Sequence, residues 1–143
     1  MPPFHVIVTD HMPGPYHLEE EAMEGIARVV GLGARGECGL DDRLADADAL
    51  FVYHEATITP AVVARLRRCK VIARCGVGYD NVDVRACGEA GIVVCNVPDY
   101  GVEEVAEHAM ALLLAVWRKI PLQDGGVRAG MWDCHRPAPV RRL

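Results

Sequence analysis

Two glycine-rich stretches have the residue types and spacing that bind anions: GLGARG, Gly31 to Gly36, and RCGVGYDNVD, Arg74 to Asp83. The first spells G-x-G-x-x-G, which cradles a dinucleotide pyrophosphate only where a strand ends and a helix begins. Ahead of it, HLEEEAMEGIARVV places Leu18, Ala22, Met23, Ile26, Val29 and Val30 at steps of three and four residues. That period predicts a helix running up to the glycines, so GLGARG is expected to be a glycine helix stop turning into a weak strand near Arg35 to Cys38.

The second stretch has the context the first lacks. It follows the apolar run VIARC (71–75) and precedes a helical pattern over NVDVRACGEAG (81–91). Gly76 and Gly78 permit a tight turn whose successive N–H groups form an anion nest. Arg74 adds a planar, bidentate positive charge. The third fingerprint glycine is missing, and Asp80 and Asn81 occupy positions where a pyrophosphate needs close, uncharged approach. A small carboxylate is therefore the better guest, and a plain glycine turn with a surface arginine is the alternative.

These loops need strands to hold them. FHVIVTD (4–10), DALFVYH (48–54), VIARC (71–75) and IVVCNV (92–97) are short apolar runs without polar alternation, as expected of strands buried on both faces of a parallel sheet. TPAVVARLRRC (59–69) has Thr59 as N-cap and Pro60 at the first helical position. The alternation predicts an α/β fold, a doubly wound, flavodoxin-like parallel sheet of about five strands, with ligands at the strand carboxyl ends. After Pro98 the pattern changes. VEEVAEHAMALLLAVWRKI (102–120) predicts one long helix, apolar nearly all round from Ala109 to Trp117, which calls for burial on several sides. A shorter helical piece, LQDGGVRAGMW, and a Pro- and Arg-rich linker, HRPAPVRRL, follow.

A chain of 143 residues with 51% hydrophobic and 24% charged residues suits a folded globular domain. Its net charge of −5, with acids and bases interspersed, argues against direct nucleic-acid contact and against a polybasic membrane anchor. The N-terminal residues lack the charged start and apolar run of a secretory signal, making the cytoplasm the expected compartment. Six cysteines contain no C-x-x-C pair and are expected reduced, mostly as small buried residues. Cys134 and His135 are adjacent and supply no metal-ligand spacing, so no metal is expected. Glu103, Glu104, Glu107 and His108 open the long helix, where acids suit the helix dipole and surface pairing.

The run RCGVGYDNVD…GEAGIVVCNVPDYGVEEVAEHAMALLLAVWRKI resembles the D-isomer-specific 2-hydroxyacid dehydrogenases, through G-V-G-Y-D-N-V-D, G-I-x-V-x-N-x-P and E-x-x-A-E-H-A. VYHEATIT and CNVPDYGVEE look most like the branch of C-terminal binding proteins and their bacterial dehydrogenase relatives. The resemblance implies a substrate-binding unit, residues 1–98, and an interdomain crossing helix and linker, residues 99–143, that begin an NAD-binding domain. It implies that Cys75, Gly76, Val77 and Gly78 cradle a substrate carboxylate, that Arg74 touches it, and that Tyr53 and His54 border the same cleft. His54 is as readily a packed histidine with one satisfied nitrogen. Asn96, Asp99 and Tyr100 fall in the segment crossing between the two domains, and Val105 aligns near the bound cofactor.

By the same resemblance, the nucleotide fingerprint, catalytic arginine, its carboxylate partner and catalytic histidine all follow the long helix. The chain is thus expected to be a truncated or isolated part, with no catalytic residue of its own and no tight NAD binding, whose intact form acts on a small 2-hydroxy or 2-keto acid as a homodimer. An NADH-sensing corepressor is the alternative. Glu55 occupies the position where phosphoglycerate enzymes present a base, favouring an unphosphorylated substrate.

Overall fold

Four of the apolar runs become strands of one sheet, and the fifth strand comes from an unexpected place. The computed structural model describes residues 4–10 and 15–133. The elements in chain order are β1 (Phe4–Asp10), α1 (His17–Ala22), β2 (Ala27–Ala34), a 3-10 turn (Asp42–Asp46), β3 (Ala49–Val52), α2 (Pro60–Val63), β4 (Val71–Arg74), α3 (Val84–Glu89), β5 (Val93–Asn96), α4 (Val102–Trp117) and α5 (Ile120–Arg128). The sheet is five-stranded and parallel, in the order β2-β1-β3-β4-β5. Its register pairs Ile7 with Leu50, Leu50 with Ile72 and Ile72 with Val94. This is the doubly wound α/β arrangement that the alternating runs imply.

The segment between β1 and β3 departs from the expected helix over residues 17–30. The helix stops at Ala22, and the chain turns away from it through Gly25, whose φ of +74° is the left-handed conformation that glycine adopts without a Cβ penalty. Val29 and Val30 then pair with Val6 and Ile7 in β2. GLGARG is therefore the end of an edge strand and the turn beyond it, and the strand expected near Arg35 to Cys38 lies earlier, at Ala27–Ala34. β-Branched side chains fit the pleated surface beside β1 better than a helix turn, and tertiary pairing decides the matter.

Local caps fix the other helices. The Thr59 hydroxyl accepts from the Val62 N–H at 3.3 Å and Pro60 follows at the first turn. Helix α3 begins at Val84 rather than Asn81, because the Asp83 carboxylate accepts from the Ala86 N–H at 2.8 Å. Leu44, Leu50, Val52, Ile58, Val62 and Ile72 form the centre of the core, each at most 1% exposed. Among the described residues, Cys69 and Cys87 are buried, Cys75 is half-buried, and Cys38 and Cys95 are exposed, all as free thiols, so burial holds for fewer of these five than expected; Cys134 lies outside them.

The chain divides at Pro98 into two compact units, Met1–Pro98 and Asp99–Leu143. In the second, the expected single helix over 102–120 breaks after Trp117: Lys119 takes a left-handed φ of 57° and α5 starts with Pro121 in its first turn. Pro121 has no N–H and its ring would collide with the carbonyl four residues back, so α4 cannot run through it. Met110, Leu112, Leu113, Val116 and Trp117 are exposed on α4 in place of the burial its composition calls for. Among the described residues no helix is long and apolar enough to cross a membrane. The expected linker, His135 to Leu143, lies outside the described residues.

Leu50 is fully buried between β1 and β4. Its replacement by alanine should cost about 2–5 kcal/mol, read as a lower urea midpoint with an unchanged slope.

Candidate functional site

Thr9 and Asp10 end β1 with both side chains buried. Asp10 is 1% exposed, and its carboxylate accepts four hydrogen bonds. Oδ2 takes the Tyr53 N–H at 2.8 Å and the Thr9 hydroxyl at 2.7 Å; Oδ1 takes the Ala56 N–H at 3.1 Å and the Glu55 N–H. Burial alone would push this carboxyl up, yet the donors from Tyr53, Thr9, Ala56 and Glu55 together hold it below the ordinary carboxylate value. The loop Tyr53–Ala56, at the carboxyl end of β3, is pinned as a result.

That loop in turn holds Asn81. The Asn81 amide donates to the Tyr53 carbonyl at 3.1 Å and the Ala56 carbonyl at 2.8 Å. A short parallel bridge between Ile58 and Val82 fixes the register: the Ile58 N–H donates to the Asn81 carbonyl at 2.8 Å and the Asp83 N–H to the Ile58 carbonyl at 2.9 Å. Asn81 Oδ1 then accepts from Arg74 Nε at 3.4 Å, while an Arg74 terminal nitrogen donates to His54 Nδ1 at 3.1 Å. A guanidinium only donates, so His54 Nδ1 accepts and the ring proton sits on Nε2.

Arg74 itself is 8% exposed and, among the described residues, forms no ion pair. It is not the surface arginine that the sequence left as an alternative. Its guanidinium lies against Gly76, where a Cβ would force the guanidinium to move from its present place. The loop beyond is tied back by its carbonyls: Gly76 O accepts from the Val97 N–H at 3.1 Å and Val77 O from the Asn96 amide at 2.8 Å. Among the described residues the Val77 and Gly78 N–H groups have no hydrogen-bond partner, and both residues are exposed. A buried cation without an ion-pair partner and, on the same loop, amide donors without acceptors are groups with which an anion could pair.

The structure brings Arg74, Cys75, Gly76, Val77, Gly78, His54 and Asn96 to the carboxyl ends of β3, β4 and β5. Asn96 acts as the brace of the glycine loop. Tyr53 is turned to α1, donating to Glu19 Oε1 at 2.5 Å; burial and that bond push its phenol far up. Burial likewise raises the Cys75 thiol, so neither group offers a proton or thiolate at neutral pH. Asp99, Tyr100 and Val105 belong to the second unit and are exposed. Asp10 and Asn81 are the residues that sequence reasoning missed as site-builders. The available signal was Asp10 itself, a charge closing an apolar run, which a sheet tolerates only if donors surround it.

GLGARG does not have the strand-to-helix setting of the dinucleotide fingerprint. GLGARG leads into a turn and a 3-10 segment in place of a helix N-terminus, and the Tyr16 ring occupies the face of Gly31 where a Cβ would stand. The Asn81 side chain is committed to the loop beneath Arg74. Among the described residues no three His, Cys, Asp or Glu side chains form a metal set; Cys134 and His135 lie outside them.

Known proteins agree with this architecture. A sequence model of the D-isomer specific 2-hydroxyacid dehydrogenase catalytic domain matches residues 6–129. A D-3-phosphoglycerate dehydrogenase of Methanocaldococcus jannaschii is 38% identical over 133 residues, which cover 92% of this chain and 24% of that protein. The D-lactate dehydrogenase of Aquifex aeolicus, solved with NAD and lactic acid, shares the fold at a TM-score of 0.81 and 21% identity, over 96% of this chain and 40% of that one. NAD+-bound 3-phosphoglycerate dehydrogenase of Entamoeba histolytica gives a TM-score of 0.66 at 25% identity, over 81% and 40%. The chain thus spans 24% of the curated relative and 40% of each solved chain.

Because the folded-state carboxyl of Asp10 lies below its unfolded value of 3.8, its stabilisation is complete above that pH and is lost as pH falls through the lower folded value. Wild-type urea midpoints should therefore drop below about pH 4, with a shallower drop in Asp10→Asn.

Proposed function

The chain belongs to the D-isomer specific 2-hydroxyacid dehydrogenase family, and from that premise we propose that its Met1–Pro98 unit is the half that grips the carboxylate of a small 2-hydroxy or 2-keto acid. The observation that carries this reading is Arg74, buried without a counter-charge among the described residues, on the same loop as the unpaired N–H groups of exposed Val77 and Gly78. The guanidinium fork and two amide donors hold one carboxylate at several points, and so set the orientation of the carbon next to it. Gly76 lets the loop and the guanidinium approach each other, Asn96 holds the loop carbonyls back, and Asn81 with His54 sets the plane of the fork.

NAD and the groups that move hydride and proton are assigned, in this reading, to the remainder of a longer protein, since the described residues form no pyrophosphate cradle. No redox step is given to any residue of this chain. The residues from Asp99 onward serve as the crossing into that remainder, with Val105 near the cofactor.

A second reading concerns the substrate. The 38% identical relative is a D-3-phosphoglycerate dehydrogenase, which favours a phosphorylated acid. Against it stands the Glu55 carboxylate, next to His54 and paired with exposed Arg35 at 3.3 Å; a phosphate on that side meets a negative charge unless Arg35 turns toward it.

In titrations of the 15N-labelled chain, pyruvate should move the Val77 and Gly78 amide signals saturably, and Arg74→Lys or Gly76→Ala should weaken that binding about tenfold, or ~1.4 kcal/mol. Unaltered affinity in both variants would sink the assignment. Tighter binding of 3-phosphoglycerate than of pyruvate would decide for the phosphorylated substrate. NADH added to the same chain should give no saturable fluorescence change up to millimolar concentration; micromolar binding would relocate the cofactor site to this chain.

A further inference from the structure

We propose that Asp10 is the positioning residue of the carboxylate site, setting the orientation of Arg74 through the Tyr53–Ala56 loop; the inference rests on the carboxylate-binding reading above. Asp10 is excluded from acid–base or substrate-contact roles by its own geometry. It is 1% exposed and both oxygens are saturated, each by two donors. What it does is hold backbone, and the backbone it holds carries His54 and accepts both amide hydrogens of Asn81, the two groups that align the guanidinium.

The chain of contact has two arms. Along one, the pinned loop presents the Tyr53 and Ala56 carbonyls, which take both amide hydrogens of Asn81 and leave its Oδ1 facing Arg74 Nε. Along the other, the loop carries His54, whose Nδ1 receives the Arg74 terminal nitrogen. Arg74 thus has two acceptors at two points of its plane, and both depend on residues 53–56. With no carboxylate to anchor it among the described residues, the guanidinium keeps its strongest interactions for an incoming anion.

The chemistry of the site demands an acceptor-only group at position 10. Three backbone N–H groups and one hydroxyl converge there, and a carboxylate offers enough lone pairs to accept all four. An asparagine of nearly the same volume keeps one oxygen and turns an NH2 donor toward the remaining donors. The loop must then shift, and the Arg74 plane with it.

The test uses the 143-residue chain, 15N-labelled and titrated with pyruvate, and reads both affinity and the Arg74 Nε–H signal. Asp10→Asn should raise the pyruvate Kd about tenfold and shift or broaden the Arg74 Nε–H peak even without ligand. Thr9→Val, which removes one of the four donors, should act in the same direction by about two- to threefold. A folded Asp10→Asn variant with lowered urea stability but unchanged Kd and Arg74 peak would overturn the proposal, leaving Asp10 a purely structural group. Should Asp10→Asn fail to fold, Thr9→Val decides, and an unchanged Kd and Arg74 peak in that variant overturn it equally. If the wild-type chain binds no pyruvate, the carboxylate reading fails by itself, while the ligand-free Arg74 signal in the variants still reports on positioning.

Discussion

A buried carboxylate with four donors is the constraint on which the site depends. Taking an ionised group out of water is costly, and an isolated one would neutralise instead. At Asp10 the cost is offset by hydrogen bonds from three consecutive-region amides and the adjacent Thr9 hydroxyl, strong enough to hold the carboxyl below its ordinary value despite burial. The return is conformational. A loop that would otherwise sample many backbone states is fixed at the end of β3, and the residues that lean on it inherit that rigidity.

Arg74 is the mirror case. A buried cation is normally matched by a carboxylate, and removing one partner of such a pair is strongly destabilising. Here the partners are neutral, Asn81 Oδ1 and His54 Nδ1, so the positive charge is held in place without being cancelled. The glycine loop complements it: two of its carbonyls are taken by Val97 and Asn96, and the Val77 and Gly78 N–H groups have no partner among the described residues. Two opposite charges are thus treated differently. The negative one is saturated by donors and becomes scaffold, while the positive one has only neutral acceptors among the described residues.

Much of this was legible before folding, and the failures have definite causes. β1, β3, β4 and β5 are near-continuous apolar runs, the pattern of parallel strands, but the expected burial on both faces fails at β5, an edge strand whose Val93 and Cys95 are exposed. Thr59-Pro60 announces α2 through its cap chemistry. The stretch 17–34 misled because its apolar residues also fit a helical period and the turn out of the helix, through Gly25, sits inside that pattern. β2 is an edge strand, half-buried, and such a strand carries a weak sequence signal because only its pairing with β1 selects it. The break at Lys119 was readable in Pro121, two residues on, but the apolar run through Trp117 overrode it.

The sequence by itself determined the fold class, four of the five strands and the place of the glycine loop after β4, because those follow from local periods, caps and a glycine pattern at a strand end. Tertiary structure alone decided which side chains serve that loop. Asp10, Asn81 and Arg74 lie far apart in the chain or face different neighbours, and nothing in their spacing says that one carboxylate meets the amides 43 to 46 positions away. Hydrogen-bond partnership between distant residues is settled only when the sheet brings strand ends together. A charge that sequence reading leaves unassigned thereby becomes the support of the site.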